Sequence, residues 1–435
     1  MKNFTSKLFK RILPILGIVF FTQLTTAQDN GFVREVYTPT EPSCILYERD
    51  YTGPSSVFRS QEVIDKIARG TACSDIFVAY TGFTPEAQAA FQFAVEIWKN
   101  TLESPKAIRI DANFTALGAG VLGSAGPTNF LTSSAPGTLP NTFYPVALWE
   151  KLNNRDSDSG MFGPDTGTST DISCNFSSSF NFYFGTDANP PAGQFDFVSI
   201  VLHELGHGLG FTSLRSSDGT TGSIRVTAAA NPTIYDVFVE NGTGASILSF
   251  PDPSTDLHDE FVGGDLFCNG PQSTAANSGT LNQIYAPSTY SGGSSYAHWN
   301  EATYVAGDVN SLMTPQIGPG EANHNPGPIT LGFFEDMGWS LCATLSVDDF
   351  ELDNIEISPN PFTSTLTINL SNSLSGDYNI NLFDINGRIV RTEATSSVNG
   401  SIRISNLDNL QNALYFVKIT NTTNGQSITK KVIKN

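Results

Sequence analysis

The sequence predicts an α+β domain followed by a small all-β sandwich domain. Between residues 75 and 211, a strand, a long helix, a second strand and an apolar helix follow one another. From Ser346 onward the chain changes to short runs of alternating polar and apolar residues, separated by turns such as Asn386-Gly387 and Asn424-Gly425. These patterns predict two folded domains, residues 75–345 and 346–435.

The N-terminus has the features of a secretory signal peptide. Four basic residues precede the apolar run Ile12–Phe21, and Thr25-Thr26-Ala27 provides a cleavage site of small residues. We therefore expect residues 1–27 to be removed. Ten apolar residues are too few to span a bilayer, and no other stretch approaches the roughly 18 that are needed, so no transmembrane segment is predicted. Residues 28–74 are either an N-terminal extension or a propeptide.

The α+β domain begins with three elements. Ile76–Tyr80 is predicted as a strand, and Ala107–Phe114 as a second one. Between them, Pro85–Leu102 carries apolar residues at helical spacing, with Thr84 as its N-cap and Pro85 at its first position. The order of strand, helix and strand requires a helix packed on a sheet.

The apolar stretch Gln194–Leu205 follows Pro190, Pro191 and Gly193 and predicts a second helix, capped or started by Asp196 or Ser199. Glycines at positions 206, 208 and 210 follow closely, and each costs about 1 kcal/mol in a helix interior. The helix should therefore end near Gly208 to Gly210. A turn there allows the chain to change direction.

This helix carries the sequence His-Glu-Leu-Gly-His at residues 203–207. His203 and His207 are one turn apart, so both imidazoles can reach one metal ion, and Glu204 lies beside them as a candidate general base. Zinc suits two histidines plus a third protein ligand, with the fourth position left for water. The motif predicts a zinc hydrolase, and peptide bonds are the expected substrate.

The third ligand is less directly indicated. In the pattern H-E-x-x-H-x-x-G-x-x-H/D the third ligand follows the second histidine by six residues, and that position is Ser213, a poor zinc ligand. The remaining histidines are His258, His298 and His324. His258 and His324 lie in polar surroundings typical of solvated loops. Pocket-lining residues are expected between Thr212 and Tyr296.

At this point the chain resembles the leishmanolysin family of metzincins. In that family an insertion separates the helix from a His-Trp motif, and a Leu-Met-x-Pro turn and a closing helix follow. The matching segments are His298-Trp299, Leu312-Met313-Thr314-Pro315 and Ile329–Trp339. The resemblance covers roughly Asp75 to Leu341.

The resemblance implies a metzincin-like zinc protease domain with Glu204 as general base and a zinc ion held by His203, His207 and His298. Met313 would form the apolar floor beneath the metal. The alternative third ligand is Glu301, since some zinc peptidases use a distant glutamate. Two tyrosines near the third ligand, Tyr296 and Tyr304, are candidate donors to the oxyanion.

The C-terminal region resembles the type IX secretion sorting domain of Bacteroidetes. The resemblance rests on Ser358–Pro361, Leu382–Arg388, Leu414–Lys418 and Lys430–Lys434. It implies that the type IX machinery is a partner and that the protein is secreted or surface-attached after outer-membrane translocation. The five predicted strands are Thr365–Leu370, Tyr378–Phe383, Ser401–Ile404, Ala413–Ile419 and Ser427–Ile433.

The charge is concentrated in the predicted catalytic part. Residues 28–350 hold 12 Lys and Arg against 35 Asp and Glu, a net charge of −23, whereas residues 351–435 hold seven of each sign. This acidity argues against nucleic acid or an anionic membrane as a partner. Acidic loops at Asp156–Gly160 and Asp165–Asp171 could supply oxygen ligands to a structural Ca²⁺ ion, although such loops are more often simply solvated.

All five cysteines lie in the exported part of the chain, where disulfides persist. Proximity in sequence suggests Cys44–Cys73 and Cys174–Cys268. An alternative is that Cys44 or Cys73 caps the zinc in a latent form.

The expected function is that of a secreted zinc metalloendopeptidase acting on proteins or peptides. Two alternatives belong to other classes. One is a non-catalytic, adhesin-like surface-binding protein on a metzincin fold, which the intact Glu204 argues against. The other is a zinc hydrolase of non-peptide amides or esters.

Overall fold

The computed structural model describes residues 24–29, 32–40, 44–51, 53–157, 169–225, 231–342, 355–370, 377–397, 400–422 and 427–435. The chain divides into two compact units, Met1–Cys342 and Ala343–Asn435. The sequence placed this boundary at residue 345, and residues 343–354 lie outside the described residues. Residues 1–23 of the predicted signal peptide also lie outside them.

The helices of the first unit, in the part of the chain that is described, are α1 Gln61–Arg69, α2 Pro85–Lys99, α3 Val146–Asn153, α4 Phe197–Gly208, α5 Thr255–Val262, α6 Pro271–Ala276 and α7 Pro328–Met337. Its strands are β1 Leu24–Asp29, β2 Phe32–Tyr37, β3 Cys44–Glu48, β4 Ser55–Val57, β5 Ile76–Thr81, β6 Leu102–Glu103, β7 Ile108–Thr115, β8 Val121–Pro127, β9 Phe130–Thr132, β10 Phe143–Pro145, β11 Ile172–Ser177, β12 Phe182–Tyr183, β13 Phe195–Asp196, β14 Ser216–Ser217, β15 Gly222–Ser223, β16 Val239–Asn241, β17 Leu266–Cys268, β18 Asn282–Gln283, β19 Gln316–Ile317, β20 Glu321–Asn323 and β21 Ser340–Leu341.

The central sheet of this unit has six strands in the order β19-β3-β8-β11-β7-β5. Strands β5, β7 and β11 run parallel to one another, and β8 is antiparallel to β11. On the far side of β8, strand β3 pairs with it antiparallel, and β19 then pairs with β3 in parallel. Residues from the N-terminal segment and from the region after His298 therefore complete the sheet.

Helices α2 and α4 bury their apolar residues in the core that also contains the sheet. In β7, Ile108, Ile110 and Ala112 are buried while Asp111 between them is exposed, so the sheet has one covered face. The two helices contact each other directly: the indole N–H of Trp98 on α2 donates to the carbonyl of Leu202 on α4 at 3.1 Å.

The first elements agree with the sequence to within a few residues. Helix α2 begins where Thr84 Oγ1 accepts a hydrogen bond from the amide of Ala87 at 3.2 Å, and Pro85 occupies its first turn. It ends at Lys99, three residues before the predicted end. The predicted closing helix corresponds to α7.

The glycine-, serine- and asparagine-rich stretch before His298 is more ordered than its composition suggests. It contains α6 and β18, and Ser273, Asn282 and Ser295 are fully buried. Polar residues of this kind fill a core position when their side chains find hydrogen-bond partners. Ser295 Oγ, for example, accepts from the amide of Ser291 at 2.9 Å.

The N-terminal segment, residues 28–74, does not form a separate body. Strand β3 enters the central sheet, β4 pairs with β20, and α1 is capped by Ser60, whose Oγ accepts from the amide of Val63 at 3.3 Å. The segment therefore packs as part of the first unit.

The cysteine pairing expected from sequence proximity is wrong. Cys73 is bonded to Cys342, 269 residues away, whereas Cys44, Cys174 and Cys268 are buried free thiols. The bridge forms because β21, next to Cys342, pairs with β6 near the end of α2. Sequence proximity did not reflect this contact between the two ends of the unit.

The second unit is built from β-strands in its described parts: β22 Glu356–Ser358, β23 Leu366–Asn369, β24 Asp377–Phe383, β25 Ile389–Ser396, β26 Ser401–Ile404, β27 Leu414–Asn421 and β28 Ser427–Ile433. They form two antiparallel sheets, β22-β23-β26 and β25-β24-β27-β28. Alternate side chains of both sheets, such as Ile368 and Val417, share one core. All five predicted strands are present, and β22 and β25 are additional.

Candidate metal centre

Helix α4 carries the candidate metal-binding motif and has a capped N-terminus. Asp196 Oδ1 accepts hydrogen bonds from the amide and the hydroxyl of Ser199 at 2.8 and 2.7 Å, and lies 2.8 Å from Nε2 of His324. The helix ends at Gly208, and Gly210 has a φ of 126°, a backbone conformation that glycine tolerates. Both ends of the helix match the prediction.

Three histidines meet at one point. The Nε2 atoms of His203 and His207 lie 2.9 Å apart, those of His207 and His298 3.0 Å, and those of His203 and His298 3.3 Å. Among the described His, Cys, Asp and Glu side chains, these three form a group that could share one metal ion. His298 joins α4 from 91 residues beyond His207.

The other ring nitrogen of each histidine faces a backbone carbonyl. His203 Nδ1 lies 2.6 Å from the carbonyl oxygen of Leu312, His207 Nδ1 2.7 Å from that of Phe211, and His298 Nδ1 2.8 Å from that of Ser294. A carbonyl accepts only, so each Nδ1 carries the proton and each Nε2 keeps its lone pair. All three lone pairs are thus available at the meeting point.

This donor set fits zinc. Three neutral imidazoles around a tetrahedral ion with Zn–N bonds of about 2.0–2.1 Å place their nitrogens about 3.3 Å apart, close to the observed separations. Burial lowers the pKa of His207 to about 3 and also lowers the pKa values of His203 and His298 well below their usual range. The imidazoles are therefore neutral, as a metal ligand requires.

Glu204 directly follows His203 in α4 and is fully buried. Burial raises the pKa of its carboxyl well above the usual range; the nearby Cys44 raises it further, and the backbone amide of Leu46 lowers it. Neither carboxylate oxygen has a hydrogen bond within the described residues that meets normal geometry, so Leu46 acts through proximity. Gly123 on β8 leaves room for this side chain, since a β-carbon there would stand 3.2 Å from Glu204 Oε1.

The alternative ligands are engaged elsewhere. Ser213 donates from its hydroxyl to Asp236 Oδ1 at 2.6 Å, and Glu301 forms an ion pair with Arg49. The hydroxyl of Tyr296 also donates to Asp236, at 2.9 Å, and that of Tyr304 lies 3.3 Å from Asn282 Oδ1. Neither tyrosine hydroxyl is directed at the three histidines.

Met313 lies beneath the motif helix. It is fully buried in a 3₁₀ turn, Ser311–Met313, and its carbonyl accepts from the amide of Trp299 at 2.9 Å. The same turn supplies the Leu312 carbonyl that holds His203. The Met-containing turn therefore connects the motif helix to the residue that follows His298.

Two histidines predicted to be solvated are not. His324 is 2% exposed, because its ring bonds to the helix cap Asp196 and packs edge-on against Phe93. His258 lies within helix α5 and is partly buried, with Nδ1 2.7 Å from Ser217 Oγ. Polar neighbours in sequence did not indicate these tertiary contacts.

Neither Cys44 nor Cys73 caps the candidate metal site in this structure. Cys73 is in the disulfide, and Cys44 Sγ lies 3.2 Å from Thr212 Oγ1 and 3.8 Å from an Arg215 nitrogen. Among the described residues, Cys44 does not join the group of metal-binding atoms. The calcium prediction falls mostly on residues 158–168, which lie outside the described residues; Asp156 and Asp171 on either side are buried.

Sequence reasoning missed a strand and a charge next to this site. Leu46 of β3 and Arg49 after it line the same small cavity as His203. Cys44–Glu48 alternates in burial, as a strand does, but its sequence Cys-Ile-Leu-Tyr-Glu does not alternate in polarity, so the sequence predicts only an extension or propeptide there. Arg49 has no local pattern that would mark it, because its partners Glu301 and Glu321 are more than 250 residues away.

Comparison with known proteins identifies the C-terminal region. Residues 356–435 match the model of the secretion system C-terminal sorting domain, and residues 162–224, which include the motif helix, match a family described as SPBPB7E8-like. Ulvan lyase NLR42 of Nonlabens ulvanivorans is 31% identical over 96 residues, 22% of this chain. The chain covers only 17% of the length of that curated relative.

Three solved structures have short stretches of similarity. PorZ of the Porphyromonas gingivalis type IX secretion system is 19% identical, covering 23% of this chain and 14% of its own, with a TM-score of 0.17. A DUF3244 protein with an immunoglobulin-like β-sandwich from Bacteroides vulgatus is 23% identical, covering 19% and 83%, with a TM-score of 0.16. Latent PorU of P. gingivalis is 19% identical, covering 18% and 9%, with a TM-score of 0.16.

The sorting domain fixes the location of the protein. A chain that carries it is exported by the type IX system and is secreted or held at the cell surface. No helix in the described part of the chain combines the length and apolar character needed to cross a membrane.

Proposed function

We propose that the first unit is a secreted zinc metalloendopeptidase with a metzincin-like fold, which hydrolyses peptide bonds of proteins. His203, His207 and His298 would hold the zinc ion, and Glu204 is the general base. The observation that carries this proposal is the convergence of three Nε2 atoms, each with its Nδ1 bound to a carbonyl, together with the buried Glu204 carboxylate, whose oxygens have no hydrogen-bond partner among the described residues.

The chemistry divides between the ion and the chain. Zinc, when bound, supplies a Lewis acid that polarises the scissile carbonyl and favours loss of a proton from water. Glu204 accepts that proton and returns it to the leaving amine. Its buried carboxyl, with a raised pKa, is suited to hold a proton between these two events. Glu204 packs closely against Gly123, where an added β-carbon would stand 3.1 Å from its Cγ, so a side chain at residue 123 would displace the carboxylate.

The architecture supports a peptidase of this type. Strands β8, β11 and β3 of the central sheet lie against α4, and the Met313 turn packs under the motif helix. Strand β8 runs beside Glu204, and its outer backbone groups, which now pair with β3, could pair with an extended peptide instead. The substrate is therefore proposed to be a protein or peptide rather than a compact small molecule.

One observation favours a second candidate. The exposed fractions of His203, Glu204, His207 and His298 are all at most 1%, so no substrate reaches them in this conformation. A zinc-containing surface protein without catalytic activity would also have a closed site. A zinc hydrolase of non-peptide amides or esters would differ from the peptidase only in its substrate.

The experiment compares the mature chain with Glu204→Gln, which keeps the size of the side chain but removes the base. Zinc content and casein cleavage are measured before and after trimming of the N-terminal segment. We expect about one zinc in both proteins and a loss of cleavage of about 10²–10⁴-fold in the variant. Bound zinc with no cleavage in either form of the wild-type protein would favour the surface protein, and activity only on esters or small amides would favour the other hydrolase.

A further inference from the structure

Strand β3 lies between β8 and the short strand β19 in the part of the central sheet that passes beside the catalytic carboxylate. It pairs antiparallel with β8, so that Cys44 lies opposite Ala125 and Leu46 opposite Gly123. An added β-carbon at Gly123 would stand 3.1 Å from Glu204 Cγ, so Gly123 lies against this side chain, and Leu46 lines a cavity together with His203. The centre of β3 is therefore at the metal site.

The position of β3 is the one that an extended substrate needs. Without β3, the outer edge of β8 would present unpaired backbone N–H and C=O groups beside Glu204, and a peptide could bind there by adding a strand. With β3 present, the three histidines and Glu204 are closed off from solvent. The segment and a peptide substrate compete for one edge.

Arg49, directly after β3, makes the most specific contact of this segment. Its Nε and Nη2 bond to the two carboxylate oxygens of Glu321 at 3.1 and 2.7 Å, and Nη1 bonds to Glu301. The side chains of Arg49, Glu301 and Glu321 are 17%, 19% and 6% exposed. One guanidinium thus fills a largely enclosed pocket with two carboxylates, a geometry that selects a basic group.

Glu301 connects this pocket to the metal site. It follows His298 by three residues, and Glu321 begins β20, which pairs with β4 of the N-terminal segment. If the segment leaves, two carboxylates remain in one enclosed place without their cation. Such a pair would attract a lysine or arginine side chain of another peptide.

We propose that residues 44–49 act as an internal pseudosubstrate, with β3 along the β8 edge and Arg49 in an acidic subsite formed by Glu301 and Glu321 that selects a basic side chain of the substrate. This inference rests on the proposed peptidase function. In a bound substrate, one residue would take the place of Leu46. The proposal predicts that the substrate residue three positions after it is basic, as Arg49 is. It also makes the closed form latent.

The test uses the zinc-loaded full chain and two ways of freeing the edge. Arg49→Ala removes the anchor and Arg49→Lys is its matched control. In a separate variant with all native side chains, a recognition sequence for a site-specific protease follows Phe58, which is 62% exposed and precedes α1. The probe is a fluorescent peptide with the sequence of residues 43–51, beside the same peptide with alanine in place of the arginine.

We expect the Arg49→Ala chain and the cut chain to bind the arginine peptide at least tenfold more tightly than the alanine peptide, by fluorescence anisotropy. This preference should disappear when Glu301→Gln and Glu321→Gln are combined in the cut chain. Peptides with arginine at this position should be cleaved at least tenfold faster by the Arg49→Ala chain than by the wild type, while Arg49→Lys stays near the wild type.

The outcomes separate the two proposals. Selective binding of the arginine peptide without cleavage of any substrate would keep the pseudosubstrate and reject the peptidase. Cleavage with equal binding of both peptides would keep the peptidase and reject the acidic subsite. If neither the Arg49→Ala chain nor the cut chain binds either peptide, and Arg49→Ala only lowers the melting temperature, β3 is a permanent strand and the inference is wrong.

Discussion

The sulfur of Met313 lies directly against the backbone of Gly206, so closely that a β-carbon at residue 206 would stand 2.8 Å from Sδ. Gly206 is inside the motif helix, between Glu204 and His207. The contact is therefore a packing reason for a glycine at a position where glycine weakens the helix. It also links the turn that holds His203 to the helix that carries it.

Replacing Gly206 by alanine should force this contact apart. Overpacking in a tight core costs about 1–3 kcal/mol of unfolding free energy, which outweighs the helix propensity that alanine gains. The measurement is urea unfolding of Gly206→Ala alone and together with Met313→Ala, which removes the clashing sulfur. If the double variant is no more stable than expected from the two single changes added together, the contact with Met313 is not the cause.

His298→Ala should abolish tight zinc binding, because it leaves only two nitrogen ligands on the helix. Glu301→Ala is the matched comparison, since it removes the alternative ligand three residues away. We expect zinc content after dialysis to fall to near zero in the first variant and to remain near the wild-type value in the second. Zinc retained by His298→Ala and lost by Glu301→Ala would reverse the ligand assignment.

Removing the Cys73–Cys342 bridge should destabilise the first unit markedly. The bridge joins residues 269 positions apart, and the chain-entropy relation gives about 5.6 kcal/mol for a loop of this length, as an upper value. Cys73→Ser with Cys342→Ser should therefore lower the melting temperature. As a control, a reducing agent should shift the wild type toward the variant and leave the variant unchanged. An equal melting temperature for the two proteins would mean that the bridge constrains little.

Glu150 predicts a pH dependence of stability. Its burial, together with the nearby Asp171, raises the pKa of its carboxyl from 4.5 to about 8, although the amide of Ser157 lowers it. Between these two pKa values the folded state binds a proton that the unfolded state has released. The contribution of Glu150 to the free energy of unfolding is therefore complete below about pH 4.5 and is lost as the pH rises toward about 8. The loss across this window is roughly 4 kcal/mol.

The measurement is the free energy of unfolding at pH 5 and pH 8 for the wild type and Glu150→Gln. The variant should show a smaller fall, because its amide does not ionise. The exposed Glu86→Gln serves as control and should behave as the wild type does. A variant whose fall equals that of the wild type would assign the pH dependence to other groups.

Local signals in the sequence located the elements that position the site. The Thr84-Pro85 pair marked the start of α2, and the glycines after Leu205 marked the end of α4, because capping and backbone freedom act within a few residues. The spacing of His203 and His207 needed only the geometry of a helix. Each of these features depends on residues that are close in the sequence, so it can be predicted without a structure.

Contacts between residues that are far apart in the sequence could be predicted only from the resemblance to a known family, or could not be predicted. His298 was identified from the His-Trp motif, and the structure brings its Nε2 to the other two. The partner of Cys73 and the burial of His324 depend on which chain segments pack together, and no short pattern encodes that. The role of Arg49 was missed for the same reason, since two glutamates from the far end of the unit define it.

The disulfide has a consequence for processing as well as for stability. It turns residues 73–342 into a covalently closed ring that contains all three candidate ligands and Glu204. Cuts before residue 73 or after residue 342 fall outside the ring, so trimming the N-terminal strands or detaching the sorting domain leaves its covalent frame untouched. A single nick inside the ring also leaves the two pieces joined. The protein can thus lose material from both sides while the candidate centre stays on one connected molecule.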